Sequence, residues 1–317
     1  MTESGDGRTG ELILVLNPGS TTTKLAIYDG ENRLVAEEIA HGRSDLAQFE
    51  RVADQRDYRE ALITKFLADH GYPLERFDAV VARGGLFRPI VSGTYRVDSE
   101  MLSDVRLAKR GEHASNLGAI LARDLAGRAG VEAYVVDPPI VDELSPLARY
   151  SGLPEIPRES IVHALNARAM ARRAASELGR PLSEANLIVA HMGGGITVTA
   201  IEGGRMVDVT NGLAEGPFTP GRAGALPTLP LVALCFSGEY DERAIRKKLV
   251  GGGGLVAYMG TNSCKEVEER ALAGDPRARE VLDAMVYQIA KEIGAMAAVL
   301  GGKIDAVVLT GGQAHSD

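Results

Sequence analysis

Three groupings of residues in this chain could handle an anion. The first is the run Asn17-Pro18-Gly19-Ser20-Thr21-Thr22-Thr23-Lys24. Its hydroxyls and backbone donors suit phosphate oxygens, Lys24 adds a point charge, and Asn17 can orient a phosphate or a metal-bound water. It lacks the GK[ST] step into a helix that marks a Walker A loop. The second is His191-Met192-Gly193-Gly194-Gly195, whose three glycines leave a bare backbone that a polyphosphate can approach. Thr310-Gly311-Gly312 and the glycine run at residues 251–254 are further turns of this type. The third is a pair of arginines. Arg83 follows the apolar segment 79–82 and precedes Gly84 and Gly85, and Arg222 sits in Pro220-Gly221-Arg222-Ala223-Gly224. Burying an arginine without a partner is costly, so Arg83 reads as a phosphate or substrate ligand in preference to a structural ion pair. Asp137 closes the run Tyr134-Val135-Val136, where α/β sheets present site residues. His113 and His163 fall in or near helical segments and by pattern alone read as ordinary polar residues.

These groups need elements to hold them, and the elements come in two copies. Residues 12–35 read as an apolar strand, a Gly/Ser/Thr turn, a second strand, a DG turn and a third strand; residues 187–209 repeat that plan. A constant offset of 174 aligns Asn17 with His191, Gly19 with Gly193, Ala26 with Ala200, Ile27 with Ile201 and Gly30 with Gly204. A second echo pairs FDAVVARGG (77–85) with IDAVVLTGG (304–312), each after a helical segment, residues 56–70 and 276–300. The first half continues into a helix near 112–128 and a strand at 133–136. By the same logic the second half is expected to lack about 50 residues of helix and strand. The fold class expected is α/β, two duplicated lobes around a central cleft. The expected division is a disordered tail at 1–10, an N-terminal lobe at 11–155 and a C-terminal lobe at 156–317.

Composition narrows the partners. The 317 residues suit two domains, each able to bury a core. The net charge is −8 with no basic block, which argues against nucleic-acid binding. Two cysteines, Cys235 and Cys264, make neither a disulfide framework nor a metal motif. No signal-like apolar segment opens the chain, and no apolar run approaches the roughly 20 residues that span a bilayer. A cytoplasmic protein without membrane contact is expected.

The segments NPGSTTTKLAIYD, ARGGLF, HASNLGAI, VVDPPIVDE, HALNARA, AHMGGGI, PGRAGALP, GGGGLVAYMGTNS, VYQIAKEIGAMA and VLTGG run in order along nearly the whole chain. Together they resemble the acetate kinase family, and within it the butyrate kinase branch. The resemblance implies the actin/Hsp70/sugar-kinase fold, with ribonuclease H-like lobes. It implies reversible, ATP-dependent phosphorylation of a short-chain fatty acid, butyrate or a branched C4–C5 acid, by direct in-line transfer with Mg²⁺. An acetate or propionate kinase of the same family, or a non-catalytic ATP-binding module of the actin type, are the alternatives. A homodimer or larger homo-oligomer is also implied.

The resemblance assigns roles residue by residue. Arg83, Asp137, His163 and Arg222 are implied to be catalytic. Asn17, Ser20, Thr22 and Lys24 are implied to contact phosphate or Mg²⁺, with Asn17 toward the metal. His191, Gly193, Gly194 and Gly195 are implied to hold ATP phosphates, and residues 261–265 with Gly311, Gly312 and Gln313 to flank the nucleoside. Two departures stand out. Ser263-Cys264-Lys265 replaces an Asp-x-Arg pattern of the family, and the family's C-terminal segment, with a glutamate that assists Mg²⁺, is expected to be missing. Gly85 stands where acetate kinases carry a bulky apolar residue. With Gly84 it is expected to open volume for extra methylenes, each worth about 0.8 kcal/mol when buried.

Overall fold

The computed structural model describes residues 9–316. Most of the expected tail, residues 1–8, lies outside the described residues. Thr9 and Gly10 are anchored: the Thr9 N–H (2.8 Å) and hydroxyl (3.1 Å) and the Gly10 N–H (2.6 Å) all donate to the Asp29 carboxylate. The chain divides into two compact units, one up to Val141 and one from Asp142 on.

In unit 1 the strands are β1 (Leu12–Pro18), β2 (Thr22–Asp29), β3 (Asn32–Ala40), β4 (Ala79–Ala82), β5 (Thr94–Arg96) and β6 (Glu132–Val136). Its helices are α1 (Arg43–Ala47), α2 (Arg56–Asp69), α3 (Ser99–Leu107) and α4 (Asn116–Ala129). The sheet order is β3-β2-β1-β4-β6-β5; β4 runs parallel to β1 and β6 parallel to β4, and the remaining pairs are antiparallel. Alternation builds β1: Leu12, Leu14 and Leu16 are buried and the residues between them only partly. Helix α4 packs on β1, β4 and β6 and buries Leu117, Ile120, Leu121 and Leu125. It stops at Gly130, whose left-handed backbone (φ 74°) terminates helices without strain.

Unit 2 holds β7 (Asn186–Met192), β8 (Ile196–Glu202), β9 (Arg205–Val209) and β10 (Ala306–Thr310). Its helices are α5 (Ala164–Glu177), α6 (Thr228–Cys235), α7 (Glu242–Leu249), α8 (Leu255–Met259), α9 (Cys264–Leu272) and α10 (Pro276–Val299). The sheet order is β10-β7-β8-β9, with only β10 and β7 parallel. Strands β7 and β8 are buried along almost their whole length, because α5 packs against β7 and α10 against β8. Ile188, Ala190, Val198 and Ala200 meet Val281, Met285, Ile289 and Met296 of α10 in the core. Asp275 caps α10 through the Arg277 and Ala278 N–H groups, with Pro276 opening the first turn.

Strands β1-β2-β3-β4 match β7-β8-β9-β10, so the duplication read from the sequence is present in the fold. The constant offset needs correcting. Ile13 and Leu187 hold equivalent places beside Ala79 and Ala306, an offset of 174. Past the turn, the bulge follows Ile27 in one hairpin and Ala200 in the other, an offset of 173. The reason is turn length: residues 19–22 link Pro18 to Thr23, whereas only residues 193–195 link Met192 to Ile196. Ala26, Ile27 and Gly30 therefore correspond to Thr199, Ala200 and Gly203.

Candidate active site

In unit 1 the β1–β2 turn is closed by the Gly19 N–H donating to the Thr22 carbonyl at 2.7 Å. Ser20 and Thr21 are exposed at its tip. Asn17 and Lys24 are cross-strand partners and therefore share one face of the sheet. The Lys24 ammonium lies 3.3 Å from the Glu38 carboxylate of β3, both well exposed, a pair that salt and a competing anion readily displace.

Strand β4 delivers Arg83, which is half-buried. No hydrogen bond or ion pair engages its guanidinium among the described residues, and burial pushes its pKa below the usual arginine value. The segment after it is latched to the start of α4: the Leu86 N–H donates to the Asn116 side-chain oxygen (2.8 Å), and the Asn116 amide donates to the Gly111 carbonyl (3.1 Å). The latch overturns the expectation of open volume at Gly84 and Gly85. A Cβ on Gly85 would stand 2.6 Å from the Asn116 Cα, and one on Gly84 would stand 3.1 Å from both Val135 and Pro138 while its φ is already 76°. These glycines are required by helix-to-loop packing and leave no cavity. Leu86 and Phe87 are fully buried beside them.

Asp137 follows β6 in the left-handed region (φ 39°), rare for a residue other than glycine and best tolerated by Asn and Asp. Its Oδ1 accepts from the Gly93 N–H (2.8 Å) and its own N–H donates to the Gly93 carbonyl (3.0 Å). Strain at a buried carboxylate marks a site residue more often than a scaffold residue.

Unit 2 brings four of the expected residues, His163, His191, Gly195 and Arg222, into one cluster. His163 precedes α5 and its ring stacks on His191 of β7, with centroids 3.9 Å apart and planes 17° from parallel. Each ring is held at Nδ1, His163 by the Thr197 hydroxyl (3.0 Å) and His191 by the Asn166 oxygen (2.8 Å). Arg222 lies across the glycine turn, donating to the Gly212 carbonyl at 2.8 Å. A Cβ on Gly195 would fall 2.3 Å from its Nη1 and 3.3 Å from His163 Cε1. Gly195 is therefore the vacancy that admits the guanidinium. Burial lowers the Arg222 pKa, and no carboxylate neutralises it among the described residues. The loop carrying Arg222 is fastened by Thr219, whose hydroxyl donates to the Gly194 carbonyl (3.2 Å), and by Gly254, where a Cβ would overlap the Thr219 carbonyl.

Beside this cluster a cavity of about 560 Å³ is lined by Gly193, Gly194, Asn262, Lys265, Gly312 and Gln313, among others. Gln313 donates to the Gly193 carbonyl at 2.6 Å, tying the end of β10 to the glycine turn. Gly311 (φ 92°) passes so close to Met192 that a Cβ would lie 2.3 Å from its carbonyl. Cys264 lines the same cavity, and burial with the nearby Glu268 raises its thiol pKa to about 11. Sequence reasoning missed Asn166, Thr197, Thr219 and Asn116, which hold the expected residues. Only Asn166 carried a signal, three residues after His163 on a predicted helix.

The family model described as the acetokinase family matches residues 158–315. The chain is 49% identical over 305 residues to butyrate kinase 2 of Clostridium acetobutylicum, covering 96% of this chain and 86% of that protein. Among solved structures, a propionate kinase from Francisella tularensis superposes with a TM-score of 0.79 at 20% identity, covering 96% of this chain and 85% of that one. Acetate kinase from Porphyromonas gingivalis does so at 0.77 and 21%, covering 96% and 84%. At these identities the two structures establish likeness of fold.

Proposed function

The chain belongs to the acetokinase family, and from that premise we propose that it transfers the γ-phosphoryl group of ATP to a short-chain carboxylate, butyrate or a near homologue, giving an acyl phosphate. The observation that carries the reading within the molecule is Arg222. A half-buried guanidinium with no carboxylate partner among the described residues lies against a bare glycine turn beside His163, itself stacked on His191, a constellation suited to an incoming phosphoryl group.

A carboxylate is already a nucleophile at neutral pH, so no strong base is needed. The obstacle is repulsion between two anions. Arg83 supports the acid or the transferring group. Arg222 and His163 spread charge developing on the equatorial oxygens, with Thr197 fixing the His163 ring. Asp137, held by Gly93, acts as a positioning group. The nucleotide occupies the cavity between the glycine turn and residues 262–265 and 312–313. Among the described residues no three His, Cys, Asp or Glu side chains gather into a metal cage. That suits Mg²⁺, which keeps its waters, takes few protein groups and comes with the phosphates, and Asn17 is its candidate protein contact. When bound it neutralises phosphate charge. With Gly84 and Gly85 filled by packing, the choice of a four-carbon acid rests on the likeness to butyrate kinase 2. A homo-oligomer belongs to the same reading: α6 is mostly apolar yet buries no residue, and its Leu229 and the Phe236 that follows it are more than four-fifths exposed.

Trapping acyl phosphate with hydroxylamine, with Mg-ATP and acids from acetate to valerate and isobutyrate, tests the proposal. Product peaking at four carbons is expected. A peak at acetate or propionate moves the chain to another substrate of the family, and ATP binding without product from any acid overturns the kinase reading.

A further inference from the structure

Arg59 is the only arginine with no exposed surface among the described residues. It projects from α2 onto the back of the β1–β2 turn. Its Nη1 donates to the Thr23 hydroxyl (2.8 Å) and to the Thr22 carbonyl (3.4 Å), and its Nε and Nη2 grip the Gln55 side-chain oxygen at 3.1 and 2.8 Å. Every one of these acceptors is neutral. Among the described residues no carboxylate touches it, and burial lowers its pKa, opposed by Tyr58. The guanidinium stays charged even so. A buried charge with no internal counter-charge is among the costlier things a fold can hold, and packing alone would be met by a neutral side chain.

Around Arg59 the turn is fastened from behind. The Thr22 carbonyl receives both Gly19 N–H and Arg59, and the Thr21 carbonyl receives the His41 N–H at 2.8 Å. The His41 ring reaches the Thr23 hydroxyl (2.8 Å) and Tyr58 (3.1 Å). Burial and then Arg59 hold the His41 pKa below its usual value, against the opposing pull of Asp45, so the positive charge behind the turn is that of Arg59 and not of His41. With the carbonyls turned inward and engaged, the Ser20 and Thr21 N–H groups find no acceptor among the described residues. The tip of the turn presents donors, and a permanent cation lies behind it.

We propose that Arg59 is a positioning residue for phosphate binding: through Thr22 and Thr23 it holds the β1–β2 turn in its donor-outward form and supplies the positive charge that an anion at the tip meets. The inference rests on the proposed function in one respect, that this turn receives phosphate. The role is separable from packing because one part of it, the charge, is kept by lysine, and the other, the hold on the turn, runs through the Thr23 hydroxyl.

The test is calorimetric titration of inorganic pyrophosphate into the full chain and its R59K and R59Q variants. R59Q should weaken binding about tenfold, while R59K, which keeps the charge, should stay within about threefold. Both variants should lose similar amounts of Tm, since both break the guanidinium fork. Equal losses of affinity in the two variants, or full affinity in R59Q, would overturn the proposal. Thr23→Val guards against R59Q failing to fold: it removes the hydroxyl that Arg59 and His41 share and leaves the Arg59 charge in place. Weakened pyrophosphate binding with Tm largely kept supports the role, and unchanged binding overturns it. A wild-type chain that binds pyrophosphate in this pattern yet makes no acyl phosphate sinks the proposed function and leaves this inference standing. A wild-type chain that does not bind pyrophosphate sinks this inference, whatever the acid panel gives.

Discussion

At Gly195 one hydrogen atom decides where a guanidinium can sit. Alanine there would place its methyl carbon on the Arg222 Nη1 and crowd the His163 ring, while the turn residue itself keeps an ordinary backbone. Gly195→Ala should therefore lower kcat by about 10² to 10³, the range for losing one well-placed donor to a reacting oxygen, with little change in Tm. Steady-state kinetics beside thermal unfolding checks this; an unaltered kcat would remove Arg222 from the reaction. The sequence offered the three glycines and the arginine as separate anion-handling groups. It could not show that one glycine exists to seat the arginine, because they are 27 positions apart and meet where Thr219, Gly254 and the Gly212 carbonyl hold the arginine and its loop. Arg59 was illegible for a similar reason. On α2 it looks like any polar helical residue, and its burial is set by a turn more than 30 residues earlier.

Elements were easier to read than their contacts. Period-2 alternation placed β1 and β2, and the helices expected at 56–70 and 276–300 are found at Arg56–Asp69 and Pro276–Val299. Gly84 and Gly85 were readable as a special place but gave the wrong cause. A missing side chain means volume only when nothing else fills it, and the first residue of α4 does. Gly85→Ala should cost about 1–3 kcal/mol of stability through overpacking. By this packing argument it should leave the order of preference among acids unchanged. Denaturant unfolding and the acid panel together decide the matter: a shift of preference toward acetate without loss of stability would restore the open-volume explanation.

The two units carry the same four-strand plan, which the sequence disclosed through its two echoes, while the turn-length difference escaped because matching glycines can be aligned either way. Among the described residues no helix is long and apolar enough to cross a membrane. If the nucleotide takes the cavity of unit 2, a non-hydrolysable ATP analogue should slow amide exchange in residues 191–195, 261–265 and 311–315 and leave the outer face of α6 untouched. Protection confined to other segments would put the nucleotide elsewhere.

The missing residue in the second turn has a consequence for anyone who would rebuild this molecule. Side chains in a strand alternate between faces, so the returning strand keeps its face only when residues are counted from the pair that closes each turn, Pro18 with Thr23 and Met192 with Ile196. The longer turn puts hydroxyls and a lysine forward; the shorter one strips its tip to glycine and offers only main chain. Either loop can therefore be transplanted whole between those two pairs without a compensating insertion or deletion, whereas a chimera spliced past the turn at the constant offset of 174 would carry its second strand inside out.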